Sequence, residues 1–417
     1  MSAIPYHTFS LDNGLKVIVH EDHSIATAVV NILYRVGARN EIPDKTGFAH
    51  LFEHLMFGGS KNIPSYDNPL QMVGGENNAF TTNDITNYYL TVPSNQLETG
   101  FWLESDRMLE LDFSQKSLDV QKSVVIEEFK QRYLNKPYGD AHLILRGLHY
   151  TTHPYRWPTI GKEISHIESA TLEDVKAFFY GYYAPNNATM VVAGNVTVEQ
   201  VKALSEKWFG EIPRRELLHQ PLPVEPEQRE ARQQTVYRDV PFASVYKMYH
   251  IPAKDDPAYY AIDMVSDILS SGKAAHLYQH MVKDKQVASS VRAFSWGAHD
   301  PGALSIDGTV AKGKTVEEYE EALQEVLDGM LNVQEDEVQR IKNSIESQYV
   351  MDRVTLLSKA MNLAMCDSLG DPELANTSLS NYLRLTREDL IAATKKYLRP
   401  DNCSTLYYLP SNGKSNA

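Results

Sequence analysis

The run "ATLEDVKAFFYGYYAPNN" beginning at Ala170 recurs without gaps as "LTREDLIAATKKYLRPDN" beginning at Leu385, with Thr, Glu, Asp, Ala, Tyr, Pro and Asn at matching places. Each copy reads as a Thr-capped helix stopped by Pro and followed by a strand, "ATMVVAG" in the first and "STLYYL" in the second. "AVVNILYRVGAR" from Ala28 likewise lies over "SVYKMYHIPAKD" from Ser244, strand on strand. A chain that repeats its elements in this way builds one architecture twice. Between the copies, "IPRRELLHQPLPVEPEQREARQQ" carries Pro213, Pro221, Pro223, Pro226 and many charges, which is linker composition. The expected division is residues 1–211, a linker at 212–234, and residues 235–417. In each half strands alternate with long helices, and some strands pair as hairpins. The fold class is therefore α+β: two homologous domains, each a mostly antiparallel sheet with helices packed on it.

Composition narrows the function. The net charge of -14, with no sustained basic run, argues against nucleic-acid binding, which needs clustered Lys and Arg. No apolar run approaches the roughly 20 residues of a membrane span. The opening "MSAIPYHTFSLDNGLKVIVHED" reads directly as a strand and lacks the basic, apolar and small-residue regions of a signal peptide. A cytoplasmic or periplasmic location is expected. Cys366 and Cys403 are too few and too far apart for a disulfide framework or a C-x-x-C site.

The stretch "KTGFAHLFEHLMFGGSKN" carries the chemistry. Thr46 is placed to cap a short helix whose apolar faces come from Phe48, Leu51, Phe52, Leu55 and Met56 and which Gly58-Gly59 ends. His50 and His54 then share a face at i, i+4 and can chelate one Zn²⁺, with Glu53 beside them as general base. A lone histidine on a helix is usually a satisfied core residue. With 14 His in the chain, H-x-x-E-H arises by chance only on the order of a few times per hundred such sequences.

A hydrolytic zinc site needs a third protein ligand. "LDVQKSVVIEEFKQRY" offers Glu127 and Glu128 on a helix, where neighbours point about 100° apart and only one can face the metal. Periodicity slightly favours Glu128, which shares a face with Val124 and Val125. A second pair at the same spacing, His276 and His280, has Gln279 where the base would stand and is read as structural or surface. The repeat places Met264, Asp267 and Ile268 opposite His50, Glu53 and His54, so the second half should hold no metal site. "GGENNAFTTNDITNYYLTVP" looks like a strand entered from a Gly turn. A free edge there could pair with an extended peptide.

Together "LDNGLKVIV", "VGARNE", "GFAHLFEHLMFGGS", "NNAFTTNDITNYY", "VVIEEF", "HPYRWPTIG" and "YYAPNNATMVV" resemble the pitrilysin family of zinc peptidases almost end to end, with "HLFEH" the most specific match. The resemblance implies one Zn²⁺ per chain on His50, His54 and Glu128, Glu53 as base, and Asn78, Ala79 and Phe80 on a substrate-pairing edge strand. It also implies half of a clamshell, like the half-size members that dimerise to enclose a chamber. Two departures stand out. Gln121 occupies a position where the family often carries a Glu that supports the site, two helical turns before the third ligand. Val282 and Ser289 occupy the places of an Arg and a Tyr that contact substrate and oxyanion, and neither can donate as they do.

The resulting expectation is a zinc endopeptidase subunit for extended or unfolded peptides. A homologous partner would supply the Arg/Tyr pair, so a heterodimer is expected in preference to a homodimer. The competing reading is a peptide-binding or assembly subunit without activity.

Overall fold

The computed structural model describes residues 3–218 and 221–411. Contacts divide the chain into two units, each assembled from three stretches: residues up to Phe129, Trp157–Leu222 and Val350–Thr377 in the first, and Lys130–Arg156, Pro223–Tyr349 and Ser378 onward in the second. The change at Leu222/Pro223 falls inside the expected linker, two of whose residues, 219 and 220, lie outside the described residues. The contiguous division at 1–211 and 235–417 needs correction, because two internal stretches belong to the opposite unit.

The first unit's sheet is built from β1 (His7–Ser10), β2 (Lys16–Glu21), β3 (Thr27–Tyr34), β4 (Glu76–Thr81), β5 (Thr86–Pro93) and β6 (Ala188–Gly194), in the order β1-β2-β6-β3-β5-β4. Every residue of β6 is buried, as expected of its unbroken apolar run at a central position. Only β2 and β6 run parallel among these pairs. One face is covered by the helix Leu356–Ser368, whose Leu356, Ala360, Leu363 and Ala364 pack on Ile18, Val29, Leu33 and Val191. The small alanines let the helix lie close to the sheet. Asp367 then ties it down. Its side chain, 1% exposed, accepts from Arg35 at 2.6 Å and from Thr189 at 2.6 Å and also pairs with Lys16.

The second unit repeats the plan. Strands β7 (Arg232–Arg238), β8 (Ser244–His250), β9 (Ala288–Trp296), β10 (Ala303–Val310) and β11 (Cys403–Pro410) run in the order β7-β11-β8-β10-β9, with β7 and β11 parallel. Its covering helix is Ala141–His149, with Ala141 and Leu145 against Val236, Met248, Leu406 and Tyr408. Each sheet is thus covered by a helix encoded in the other half of the sequence. That exchange is why the contiguous division fails.

The repeated block matches feature for feature. Thr171 caps Leu172–Tyr182 in a box with Asp174, and Thr386 caps Arg387–Tyr397 in a box with Asp389. The strand alignment, however, shifts by one residue. Tyr34 pairs with Ala188 and Tyr249 pairs with Cys403, so Tyr34 corresponds to Tyr249 and not to His250 as the quoted runs suggest. A one-residue slip sends every side chain to the opposite face, and the sheet register restores the offset at which Ala170 lies over Leu385.

The second unit also stacks two imidazoles, the buried His149 and the half-buried His250, with ring centroids 3.6 Å apart. Burial pushes His149 well below the ordinary imidazole range and brings His250 down to about 4. Since both favour the neutral form when folded, their contribution to stability is complete above about pH 6.5 and is lost as pH falls below it, for His250 toward about 4. For His250 alone this is about 3 kcal/mol, at about 1.4 kcal/mol per pH unit. Urea unfolding at pH 7 and pH 4.5 should show the loss, and His250→Phe should blunt it. Equal slopes in both proteins would refute the assignment.

Among the described residues no helix is long and apolar enough to cross a membrane.

Candidate metal centre

The motif helix runs Phe48–Leu55 and buries Phe48, Ala49, Leu51, Phe52 and Leu55. Phe52 sits in an aromatic stack, 5.1 Å from both Phe178 and Tyr183 between ring centroids. That apolar anchoring fixes the rotation of the helix and turns His50, Glu53 and His54 to its other side.

Thr46 does not cap this helix. Its hydroxyl lies 2.8 Å from His166 Nδ1 and accepts from the Lys162 amide at 2.8 Å. The N-cap is Gly47, in the left-handed region at φ 88, where a Cβ would lie 2.6 Å from the Ile160 carbonyl oxygen. The helix's first amides are taken by Glu41, which accepts from Gly47 at 2.9 Å and from Ala49 at 2.8 Å. Burial pushes this carboxyl up to about 8, while those same amides pull it down.

The third group comes from the helix Gln115–Phe129. Glu127 is exposed, whereas the Glu128 carboxylate turns toward the histidines. One oxygen of Glu128 lies 3.5 Å from His50 Nε2 and 3.4 Å from His54 Nε2, and the two rings meet edge to face at 4.9 Å. The donor atoms of all three residues fall within 4.8 Å of one another, the only such group among the described residues. Donors about 2.0–2.1 Å from a tetrahedral zinc stand about 3.3 Å apart, so this set fits one ion with little adjustment. Glu53 is held beside it, its carboxylate accepting from Thr81 Oγ1 at 2.6 Å.

Asn78, Ala79 and Phe80 lie on β4, at the end of the strand order, paired on one side to Tyr89, Tyr88 and Asn87 of β5. The outer edge of β4 has no strand partner among the described residues. Gln121 lies beside Gly58, its amide nitrogen 3.8 Å from where a Cβ of that glycine would stand, just past the end of the motif helix.

Sequence reasoning missed Glu41 and Thr81. Strand alternation could have indicated Thr81, since it must face opposite to the apolar Phe80. Nothing local marks Glu41, because the helix it caps begins only after an intervening loop.

The other sequence candidates are separate. His276 pairs with Glu337, while His280 lies 2.6 Å from Glu325, so each histidine has its own carboxylate. Met264 and Ile268 are core residues, and burial together with Asp263 raises Asp267 to about 6. Val282 packs against the second unit's core and Ser289 donates to the Thr309 carbonyl at 3.3 Å.

The two halves of the chain match two different family models. Residues 16–153 match the family described as "Insulinase (Peptidase family M16)" and residues 169–345 match "Peptidase M16 inactive domain". The chain is 29% identical over 430 residues to the "Zinc protease PqqE" of Helicobacter pylori, covering 98% of this chain and 94% of that protein. The crystal structure of a protease from Helicobacter pylori superposes with a TM-score of 0.91 at 27% identity, over 98% of this chain and 100% of that one. The crystal structure of pitrilysin shares the fold, with a TM-score of 0.76 at 17% identity over 97% of this chain and 45% of the pitrilysin chain. With both halves matched in order and relatives named as zinc proteases, the chain belongs to peptidase family M16, the pitrilysin family.

Proposed function

We propose that the protein is the metal-bearing subunit of a zinc endopeptidase acting on extended or unfolded peptides, in the cytoplasm or the periplasm. The observation that carries this reading is the convergence of His50, His54 and Glu128 on one point, with Glu53 held next to it. A single zinc ion held by those three side chains would supply Lewis-acid polarisation of a peptide carbonyl and a more acidic water. Glu53 takes the proton from the attacking water and delivers it to the amine as the C–N bond breaks. The substrate backbone pairs with the outer edge of β4 along Asn78, Ala79 and Phe80, which makes recognition tolerant of sequence. Gln121, an amide where the family resemblance implies a carboxylate, tunes the ligand side of the site from beyond the motif helix.

Val282 has no donor and the Ser289 hydroxyl is engaged by the Thr309 carbonyl, so the reading includes a homologous partner that brings an Arg/Tyr pair and closes a chamber around the substrate. The same two residues favour a second reading, a peptide-binding subunit without activity. The test is cleavage of a fluorogenic basic peptide by the purified chain, alone and mixed with a homologous chain carrying Arg and Tyr but no zinc motif. Cleavage confined to the mixture, lost with a chelator and restored by Zn²⁺, is expected. Zinc bound without cleavage in any mixture would leave the binding-subunit reading.

A further inference from the structure

The last torsion of a glutamate side chain is broad and roughly two-fold, so a helical backbone alone does not set the plane of the Glu53 carboxylate. In this protein a residue of a different element bonds to that carboxylate. Thr81 Oγ1 donates to Glu53 Oε2 at 2.6 Å, within the range of short hydrogen bonds to an ionised acceptor.

Thr81 is itself rigidly placed. It is the last residue of β4, paired with Thr86, and the hairpin turn that follows is closed by the Thr82 amide to the Ile85 carbonyl at 2.8 Å. The Thr82 hydroxyl accepts from the Asp84 and Ile85 amides, at 3.1 and 3.0 Å, and Thr86 donates to the Val36 carbonyl at 2.9 Å. Phe80 packs with the core under the covering helix, so alternation sends Thr81 to the other face, where the motif helix lies. As a β-branched residue Thr81 has few rotamers, and its hydroxyl direction follows from the strand.

We infer that Thr81 is a positioning residue for the base: its hydroxyl fixes the orientation in which Glu53 meets the attacking water. The inference rests on the peptidase reading above. It also means that base and substrate are both referenced to one strand, since β4 is the strand assigned to substrate pairing. Misplacement of reacting groups by about 1 Å costs on the order of 10²-fold in rate, which sets the scale of the effect.

The test compares Thr81→Val, which keeps the shape and removes the donor, with Thr81→Ser, which keeps the donor. In the full chain, under the conditions in which the wild type cleaves a fluorogenic peptide, Thr81→Val should lower kcat about 10- to 100-fold with KM and bound metal unchanged, and Thr81→Ser should stay within about threefold. Crystal structures of the two variants should show the Glu53 carboxylate turned in the first and held in the second. Full kcat in Thr81→Val, equal losses in both variants, or an unmoved Glu53 carboxylate in Thr81→Val would overturn the inference. If the wild type cleaves nothing under any condition, the peptidase reading falls, and the crystal pair still decides whether Thr81 orients Glu53.

Discussion

Glu53→Gln is expected to abolish peptide hydrolysis while leaving the metal in place. The substitution keeps the length and shape of the side chain, and its amide oxygen still accepts from the Thr81 hydroxyl that holds Glu53 at 2.6 Å. What disappears is the ability to take a proton, since an amide is not a base near neutral pH. A positioned general base contributes about 10²–10⁴-fold, so kcat/KM should fall by that factor with one metal still bound per chain. The informative comparison is His54→Ala, which removes one of the three converging donors and should lose both metal and activity. A Glu53→Gln variant retaining a tenth or more of wild-type turnover would exclude Glu53 as the base.

The second large effect is on stability. Arg107 is fully buried, and its guanidinium is forked onto Glu104 with contacts of 2.6, 2.7 and 2.9 Å. Tyr66 donates to the same carboxylate at 2.6 Å, and the rings of Tyr88 and Tyr66 lie 4.4 and 4.5 Å from the guanidinium carbon. Removing one partner of a buried pair leaves the other charge without compensation, at a cost of about 3–5 kcal/mol. Arg107→Ala should therefore lower the unfolding temperature by roughly 10 °C in a unit of this size. The Phe57 ring, just beyond the motif helix, also lies against Arg107 at 5.3 Å, so metal affinity should weaken along with stability. Replacing Arg107 and Glu104 together with Met and Leu should recover much of the loss, because no charge is then stranded. Calorimetry on the single and double variants separates these outcomes. If the double variant is no better than Arg107→Ala, packing and not charge is what the pair provides.

Much of this site was legible in the sequence because its groups are local. His50, Glu53 and His54 lie within two turns of one helix, and helical periodicity alone brings them to one side. Glu128 is distant in sequence, and periodicity favoured it only slightly over Glu127. In the fold the helix Gln115–Phe129 lies against the motif helix, and His50 and His54 face the Glu128 carboxylate. Alternation along β4 tells which face Thr81 takes but not that Glu53 meets it, and Glu41 acts across a loop, a contact for which a one-dimensional pattern contains no term. The same holds for the fold. The capped helix, proline stop and strand of each repeat depend on near neighbours and could be read directly. The covering helices could not be assigned to their sheets, because Ala141–His149 and Leu356–Ser368 carry similar small-and-apolar faces and nothing local says which sheet each will meet. The alignment of β3 with β8 is off by one because Ala28 over Ser244 departs by one residue from the offset of Ala170 over Leu385, and a buried sheet does not tolerate the slip.

The exchange of covering helices also sets a clock on biosynthesis. The sheet that holds Thr81 and carries the motif helix has all its strands once Gly194 has been made, yet Leu356, which begins its cover, comes much later. At about 5–20 residues per second, translation leaves one face of that sheet uncovered for roughly 10–30 s. During that interval Ile18, Val29, Leu33 and Val191 present an apolar surface to the cell. Until Leu356–Ser368 has been synthesised, the nascent chain holds no helix of its own that covers this face.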